Sequence, residues 1–341
     1  MLDVDNVDWD SIFHLMSSDP VETTDHSDGT PGRDVKEQKL EPVQAPTPPS
    51  SPGSTEGQSE EDSVISVSST FYPGASHYPM PPDLILVSSD SVFFYAHLHV
   101  VGFASENGFN SMLPPASTTH DGEQPGPVLR VSESATVLNI VLHAVYDISC
   151  AHYTPSFHDL SSATISLNAY GISLKTRIAP TTSLYELILS HASQYPLEVY
   201  ALASQHDLYD LALEASPHLL SFSLPSLTDA IVQRIHPVYL KRLFFLHLGR
   251  ADALKRLLLP PPRPHTPTAQ CDLAEQKMLT RAWSLAAAYL AWDSRPNLSN
   301  EMIESTLVPL GQHLACSLCR RSLEERIQSL VVQWSAVKKT I

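Results

Sequence analysis

Basic residues are scarce in this chain of 341 residues, with 21 Lys plus Arg against 37 Asp plus Glu. No basic stripe is present to neutralise phosphates over a broad footprint, which argues against direct DNA or RNA binding. Long apolar runs are missing too. The longest candidate, Ala282 to Trp292, is about half of the roughly 20 residues that a spanning helix needs, so membrane insertion is not expected. The opening MLDVDNVDWD lacks the basic start and apolar core of a signal peptide, and secretion is not expected either. Cysteine is sparse, four in all, and without a secretory signal these read as thiols or metal ligands in a reducing, intracellular setting. Nucleus and cytoplasm are not distinguished.

Catalytic signatures are also lacking. The chain has no Gly-x-Ser-x-Gly, no glycine-rich phosphate loop ending in Lys-Ser or Lys-Thr, and no His-Glu-x-x-His, so no enzyme class is indicated. His97 stands at a strand-to-helix junction and reads as a packed, hydrogen-bonded residue rather than a general base. Its neighbour His99, two positions on, is expected to face the other way.

What is present is strongly segmented. Residues 1 to 75 carry fifteen Asp plus Glu against three Lys plus Arg, a net of about −12 out of the total −16. Residues 17 to 62 are rich in Ser, Thr, Pro and acids, with too little apolar surface to offset the entropy of ordering. An arm over 1–77 is therefore expected to be disordered and acidic. Within it Trp9, Ile12, Phe13 and Met16 stand about one helical turn apart among aspartates, as in acidic peptides that fold into a partner's groove. Val64, Ile65 and Val67 follow Glu60-Glu61-Asp62. They read as a SUMO-interacting strand, as an amino-terminal strand of the fold itself, or as an apolar linker. Thr47-Pro48, Ser51-Pro52 and Ser59 with its acidic neighbours are candidate phosphorylation positions.

From Asp83 to Leu113 the sequence predicts a strand, a turn at Ser88 to Ser91, a second strand over Val92 to Tyr95, and a helix with Val100, Val101 and Ala104 on one face. Pro114 to Pro127 is a polar connector rich in proline and glycine. Leu129, Val131 and Glu133 predict a short strand entering a helix on which Val137, Leu138, Val141, Leu142, Val145 and Tyr146 recur. Phe157, Leu160, Ala163, Leu167 and Tyr170 keep a further helical face. Ser193 to Ser216 predicts a helical hairpin, with Pro196 suited to a first turn.

Three blocks together resemble a BTB/POZ domain over about 83 to 220. The matching residues are an Asp-opened hairpin (Asp83), Phe-x-x-His (Phe94, His97), Ser followed by an aromatic (Ser105, Phe109), and the apolar helix ending in Tyr146. The chain more closely resembles the long basidiomycete fungal BTB proteins, in which a helical region follows the domain. The resemblance implies an α+β fold: a BTB/POZ-like domain over 78–220, a short sheet with a cluster of helices, followed by an all-helical extension over 221–341. It also implies a non-enzymatic scaffold that forms homo- or hetero-oligomers, with Asp83, His97, Leu98, Val101, Phe103 and Phe109 as candidate contacts. Alternatives are a cullin-type ubiquitin-ligase adaptor or a transcriptional regulator that uses the acidic arm. Where many members place Lys or Arg after the His, this chain has Leu98, which weakens any expectation of a charged corepressor groove.

In the extension, apolar stripes are expected at Leu240, Leu243, Phe244, His247 and Leu254, at Leu279, Ala282, Trp283, Ala286, Tyr289 and Leu290, and at Leu323, Ile327, Leu330, Trp334 and Val337. A proline loop over 260–267 interrupts them. Cys316 and Cys319 form a CxxC preceded by His313, and His265 and Cys271 stand in or beside the loop. If the loop folds over the start of the last helix, His265, Cys271, Cys316 and Cys319 make a Cys3His set for structural zinc. The competing readings are buried thiols without an ion and a redox dithiol.

Overall fold

The β-branched and aromatic run after Asp83 forms the hairpin that its composition predicts. Strand β2 (Leu84–Val87) pairs antiparallel with β3 (Val92–Ala96). Ser88 closes the turn: its hydroxyl donates to Asp90 and accepts the Val92 amide at 3.0 Å, while Ser91 takes a positive φ of 63°. The computed structural model describes residues 66–114, 126–292 and 295–341. A mixed four-stranded sheet results, in the order β1-β3-β2-β4, with β1 (Ser66–Val67) parallel to β3 and β4 (Val128–Arg130) parallel to β2.

A run of helices follows the hairpin. Helix α1 (Leu98–Ala104) leaves β3 directly, and α2 (Ala135–Tyr146) starts on an N-cap at Ser134 and stops at Asp147 in the left-handed region. Asp90 also accepts the Ala135 amide at 2.8 Å, which ties the hairpin turn to the first turn of α2. Helix α3 (Phe157–Ala169) opens with a reciprocal Ser156/Asp159 capping box. Helices α4 (Ser183–Ser190), α5 (Pro196–Gln205) and α6 (Tyr209–Ala215) complete this part, with Pro196 at the start of α5 as expected. The sheet and these helices bury one hydrophobic core from Phe71 to Leu243.

Beyond it lie α7 (Asp229–Arg234), the long α8 (Pro237–Leu258), α9 (Leu273–Trp292), α10 (Asn300–Leu307) and α11 (Ser317–Ala336). A second, smaller core runs from Leu254 to Trp334. Helix α8 serves both cores: Tyr239 and Leu243 enter the first, Leu254 and Leu258 the second. The described residues from Ser66 to Ile341 form one compact unit. None of the helices among the described residues is long and apolar enough to cross a membrane.

Several expectations need correction. Packed chain begins before residue 77, because Ser66–Val67 joins the sheet and Phe71 is fully buried against the Phe94, His143 and Tyr146 rings. The proline- and serine-rich surroundings of Phe71 disguised a core anchor as linker. On α8 the buried line is Tyr239, Leu243, Leu246, His247, Arg250, Leu254 and Leu258, which leaves Phe244 exposed. On α9 it is Leu279, Trp283, Ala287 and Leu290, and Tyr289 faces out. Leu243, His247 and Leu254 on α8 and Leu279, Trp283 and Leu290 on α9 are buried as expected, and Phe244 and Tyr289 fall outside the stripe because apolar residues also occupy the outer face. The extension is also less continuous than expected, with 3-10 turns at Leu224–Ser226 and Val308–Gly311 and the loop after α8 reaching Asp272.

Candidate metal centre

Two groups of polar side chains are organised enough to be sites. The first lies where β3 becomes α1. Asp83 accepts the Leu98 amide at 2.7 Å and so caps α1 from outside the helix, satisfying one of its free donors. His97 is buried. Its amide donates to the Tyr146 hydroxyl at 2.8 Å, and its Nδ1 meets the same oxygen at 2.7 Å. Nε2 lies 2.8 Å from the Met80 carbonyl, which can only accept, so Nε2 carries the proton and Nδ1 accepts from the phenol. Burial raises the Tyr146 phenol well above its ordinary value and keeps it a donor. Both ring nitrogens of His97 are thereby engaged, as the reading of a packed histidine expects. The His99 expectation fails: its ring centroid is 6.0 Å from that of His97, and both rings lie against Tyr78. The alternation of a strand ends at His97, where the backbone turns into α1 and brings the two rings to one side.

The remaining residues of the resemblance also hold the fold together. Ser105 donates to the Tyr170 carbonyl and accepts the Phe109 amide, both at 2.6 Å. Phe109, at a positive φ of 54°, stacks on Tyr170 with centroids 3.8 Å apart. Gly171 lets this turn close: its φ is 69°, and a Cβ there would lie 2.6 Å from the Asn107 side chain. Phe94 and Val101 are buried, and Leu98 is half-buried. Phe103 is 95% exposed on the outer side of α1. Trp9, Ile12, Phe13, Met16, Val64 and Ile65, with the three candidate phosphorylation positions, lie outside the described residues. Val67 is described, and its strand forms one edge of the sheet, paired with β3.

The second group is in the smaller core. The ligand atoms of His265, Cys271, Cys316 and Cys319 all lie within 4.8 Å of one another, a spacing that suits a structural metal ion such as zinc. Three local devices gather them. Cys316 is the N-cap of α11 and Cys319 falls in its first turn, so their three-residue spacing sets both sulfurs toward one side. Cys271 is presented by a tight turn in which Thr268 and Cys271 exchange backbone hydrogen bonds at 2.9 and 3.2 Å. His265 arrives on the loop, which is laid along α11: Arg326 donates to the Pro260 carbonyl at 2.8 Å and Ser322 to that of Arg263 at 2.7 Å, and the next turns meet His265.

Within the cluster, Nε2 of His265 stands 3.3 Å from the sulfurs of both Cys316 and Cys319, and the Cys271 and Cys319 sulfurs are 3.7 Å apart. The amides of Cys319 and Leu318, unpaired in the first helical turn, hold the Cys316 thiol down to about 7. Burial pushes Cys271 and Cys319 the other way. His313 is exposed and stands outside the four, although it lines the same recess. Cys150 is buried in the first core instead.

Sequence reasoning missed the arginines that frame this core. Arg250 of α8 donates to the carbonyls of Pro296, Val337 and Lys338 at 2.6 to 3.0 Å and lies 4.3 Å from the Trp334 ring. Arg326 of α11 donates to Leu257 and Pro260 and lies 5.3 Å from the Trp283 ring. Each long helix thus supplies the donor that satisfies the other's terminal carbonyls. The signal available was an Arg inside an otherwise apolar stripe. Comparison with protein-family models, with curated proteins and with solved structures finds no match to this chain.

Proposed function

We propose that this chain is a non-enzymatic, intracellular protein-interaction scaffold that self-associates through a BTB/POZ-like unit, with the helical extension serving stability or partner choice. One observation carries the reading: the residues on which the resemblance rests serve a single structural role. Asp83, His97, Ser105, Phe109 and Tyr146 join sheet to helices through hydrogen bonds and a ring stack. The mixed sheet and its helices are the coarse architecture the resemblance implies. The engaged ring of His97 agrees with a non-catalytic role, since a general base needs a free nitrogen within reach of its substrate.

Phe103 supplies the point of contact. An aromatic ring exposed on a short helix that packs on the core is the type of anchor that dominates interface energetics. Its proposed occupant is a second copy of the chain. Light scattering with crosslinking on the full chain tests this. A dimer or larger species that Phe103→Glu converts to monomer is the expected result. A wild-type chain that stays monomeric at every accessible concentration ends the proposal.

A further inference from the structure

We propose that His265, Cys271, Cys316 and Cys319 bind one Zn2+ as a closed, four-coordinate structural site that staples the loop before α9 to the start of α11. The interatomic spacing fits a tetrahedral ion. Zn–S bonds of about 2.3 Å and Zn–N bonds of about 2.0 Å around a tetrahedron require S···S edges of about 3.8 Å and S···N edges of about 3.5 Å. Three of the six edges, one S···S at 3.7 Å and two S···N at 3.3 Å, are close to these values, and all four ligand atoms lie within 4.8 Å of one another. A disulfide would demand about 2.05 Å between sulfurs, far from the 3.7 Å found here.

The outer contacts fit as well. His265 Nδ1 lies 2.7 Å from the Thr266 carbonyl, which can only accept, so the proton sits on Nδ1 and the lone pair of Nε2 is turned toward the sulfurs. Such a carbonyl contact is what orients imidazoles at zinc sites. Three sulfurs and one nitrogen select a borderline-soft ion and disfavour Mg2+ or Ca2+, which take oxygen ligands. Four protein ligands leave no open position for water, so the ion's role is structural rather than hydrolytic. The loop supplies two ligands and α11 the other two. The ion therefore continues the row of contacts that Arg326 and Ser322 begin along that helix.

The test uses the full chain, purified without chelator. Elemental analysis is expected to find about one equivalent of zinc. Exchange for Co2+ should give the thiolate-to-cobalt charge-transfer absorption of a tetrahedral, sulfur-rich site. His265→Ala and Cys319→Ser should lower bound zinc at least tenfold, while Cys150→Ser, in the other core, keeps it. Should the cluster variants fail to fold, the wild-type zinc content and cobalt spectrum decide alone. Folded wild-type protein with less than about a tenth of an equivalent of zinc overturns the site. So does a cobalt form without thiolate charge transfer, or a Cys271–Cys319 disulfide found by mass spectrometry in the freshly isolated chain.

Discussion

The two hydrophobic cores are built on different principles although they share α8. The first is large and closes on apolar burial, and inside it the Tyr146 and Tyr200 phenols and the His97 imidazole hydrogen-bond one another or the backbone. The second is smaller, and it places an arginine only 3% exposed, two tryptophans and three of the chain's four cysteines within or beside its packing. A small core excludes too little surface from water to offset chain entropy unaided. Cross-links, whether charged donors on carbonyls or a metal on thiols, supply what area cannot. The first core is held by how much it buries, the second by where it is fastened.

The contrast is directly measurable, because the described tryptophans, Trp283, Trp292 and Trp334, all belong to the helices of the second core, and the first core contains only tyrosines and phenylalanines as its large rings. In a Trp9→Phe background, tryptophan fluorescence therefore reports one core, and near-ultraviolet tyrosine dichroism weights the other. The largest expected effect is metal removal. A strong chelator should withdraw up to about 10 kcal/mol of apparent binding energy and melt the tryptophan-reported transition, leaving the tyrosine signal in place. Loss of both signals together would show that α8 couples the cores into one unit and would break the comparison.

Next in size is Arg250→Ala. Three hydrogen bonds from a buried guanidinium end, three carbonyls lose their partner, and Trp334 loses the cation over its ring. A loss of about 3 kcal/mol in urea unfolding followed by fluorescence is expected. Arg250→Lys should recover little, since one ammonium cannot reproduce the planar fork. The matching experiment in the first core is Tyr146→Phe. It removes one oxygen and leaves both the His97 amide and Nδ1 without a partner, for a cost of about 1 to 3 kcal/mol seen in the tyrosine signal. Equal shifts of both signals by either variant would argue against separate cores.

How much of this the sequence disclosed follows the range of the forces involved. Periodicity and caps are local, so the hairpin, α2, α3, the α5–α6 pair and the apolar line of α11 were legible from residues a few positions apart. Phe71 was not, because its partners Phe94 and Tyr146 lie 23 and 75 positions away and its flanks look like linker. The four metal-type ligands were legible as a set because cysteine is rare here and the CxxC spacing is a helical turn. Their convergence was conditional on the loop lying on α11, which depends on Ser322 and Arg326, ordinary surface-type residues whose role appears only when the loop carbonyls are beside them. Phe244 and Tyr289 mislead for the opposite reason. Periodicity counts apolar residues without asking which face has something to pack against.

Acid should also separate the cores, more gently. Burial lowers His143 below its ordinary value of about 6.5, aided by repulsion from His152 and His77, against an opposing hydrogen bond to the Asn139 carbonyl. Burial lowers His77, His206 and His247 likewise. With a depressed folded value, the unfolded chain binds protons first as pH falls, so unfolding free energy rises with pH in that interval. Stability from these groups is complete above about pH 6.5, declines below it, and levels off once pH passes beneath the folded values. The tyrosine signal should record this decline. Replacing His143 by Gln should flatten it, and an unchanged slope would assign the acid sensitivity to other groups.

The smallest expected effect runs in the opposite direction. Gln276, in the first turn of α9, is only 5% exposed, and neither its side-chain oxygen nor its nitrogen has a hydrogen-bond partner. Burying an amide that forms no bond costs free energy, whereas an apolar side chain of similar length carries no such penalty. Gln276→Met retains an unbranched, adaptable shape and should stabilise the second core by about 1 kcal/mol, raising the fluorescence-detected midpoint and leaving the tyrosine signal unmoved. A destabilised variant would mean that the amide has an unseen polar partner, such as a buried water, and that the smaller core is held by one more fastening than the arginines and the thiol cluster provide.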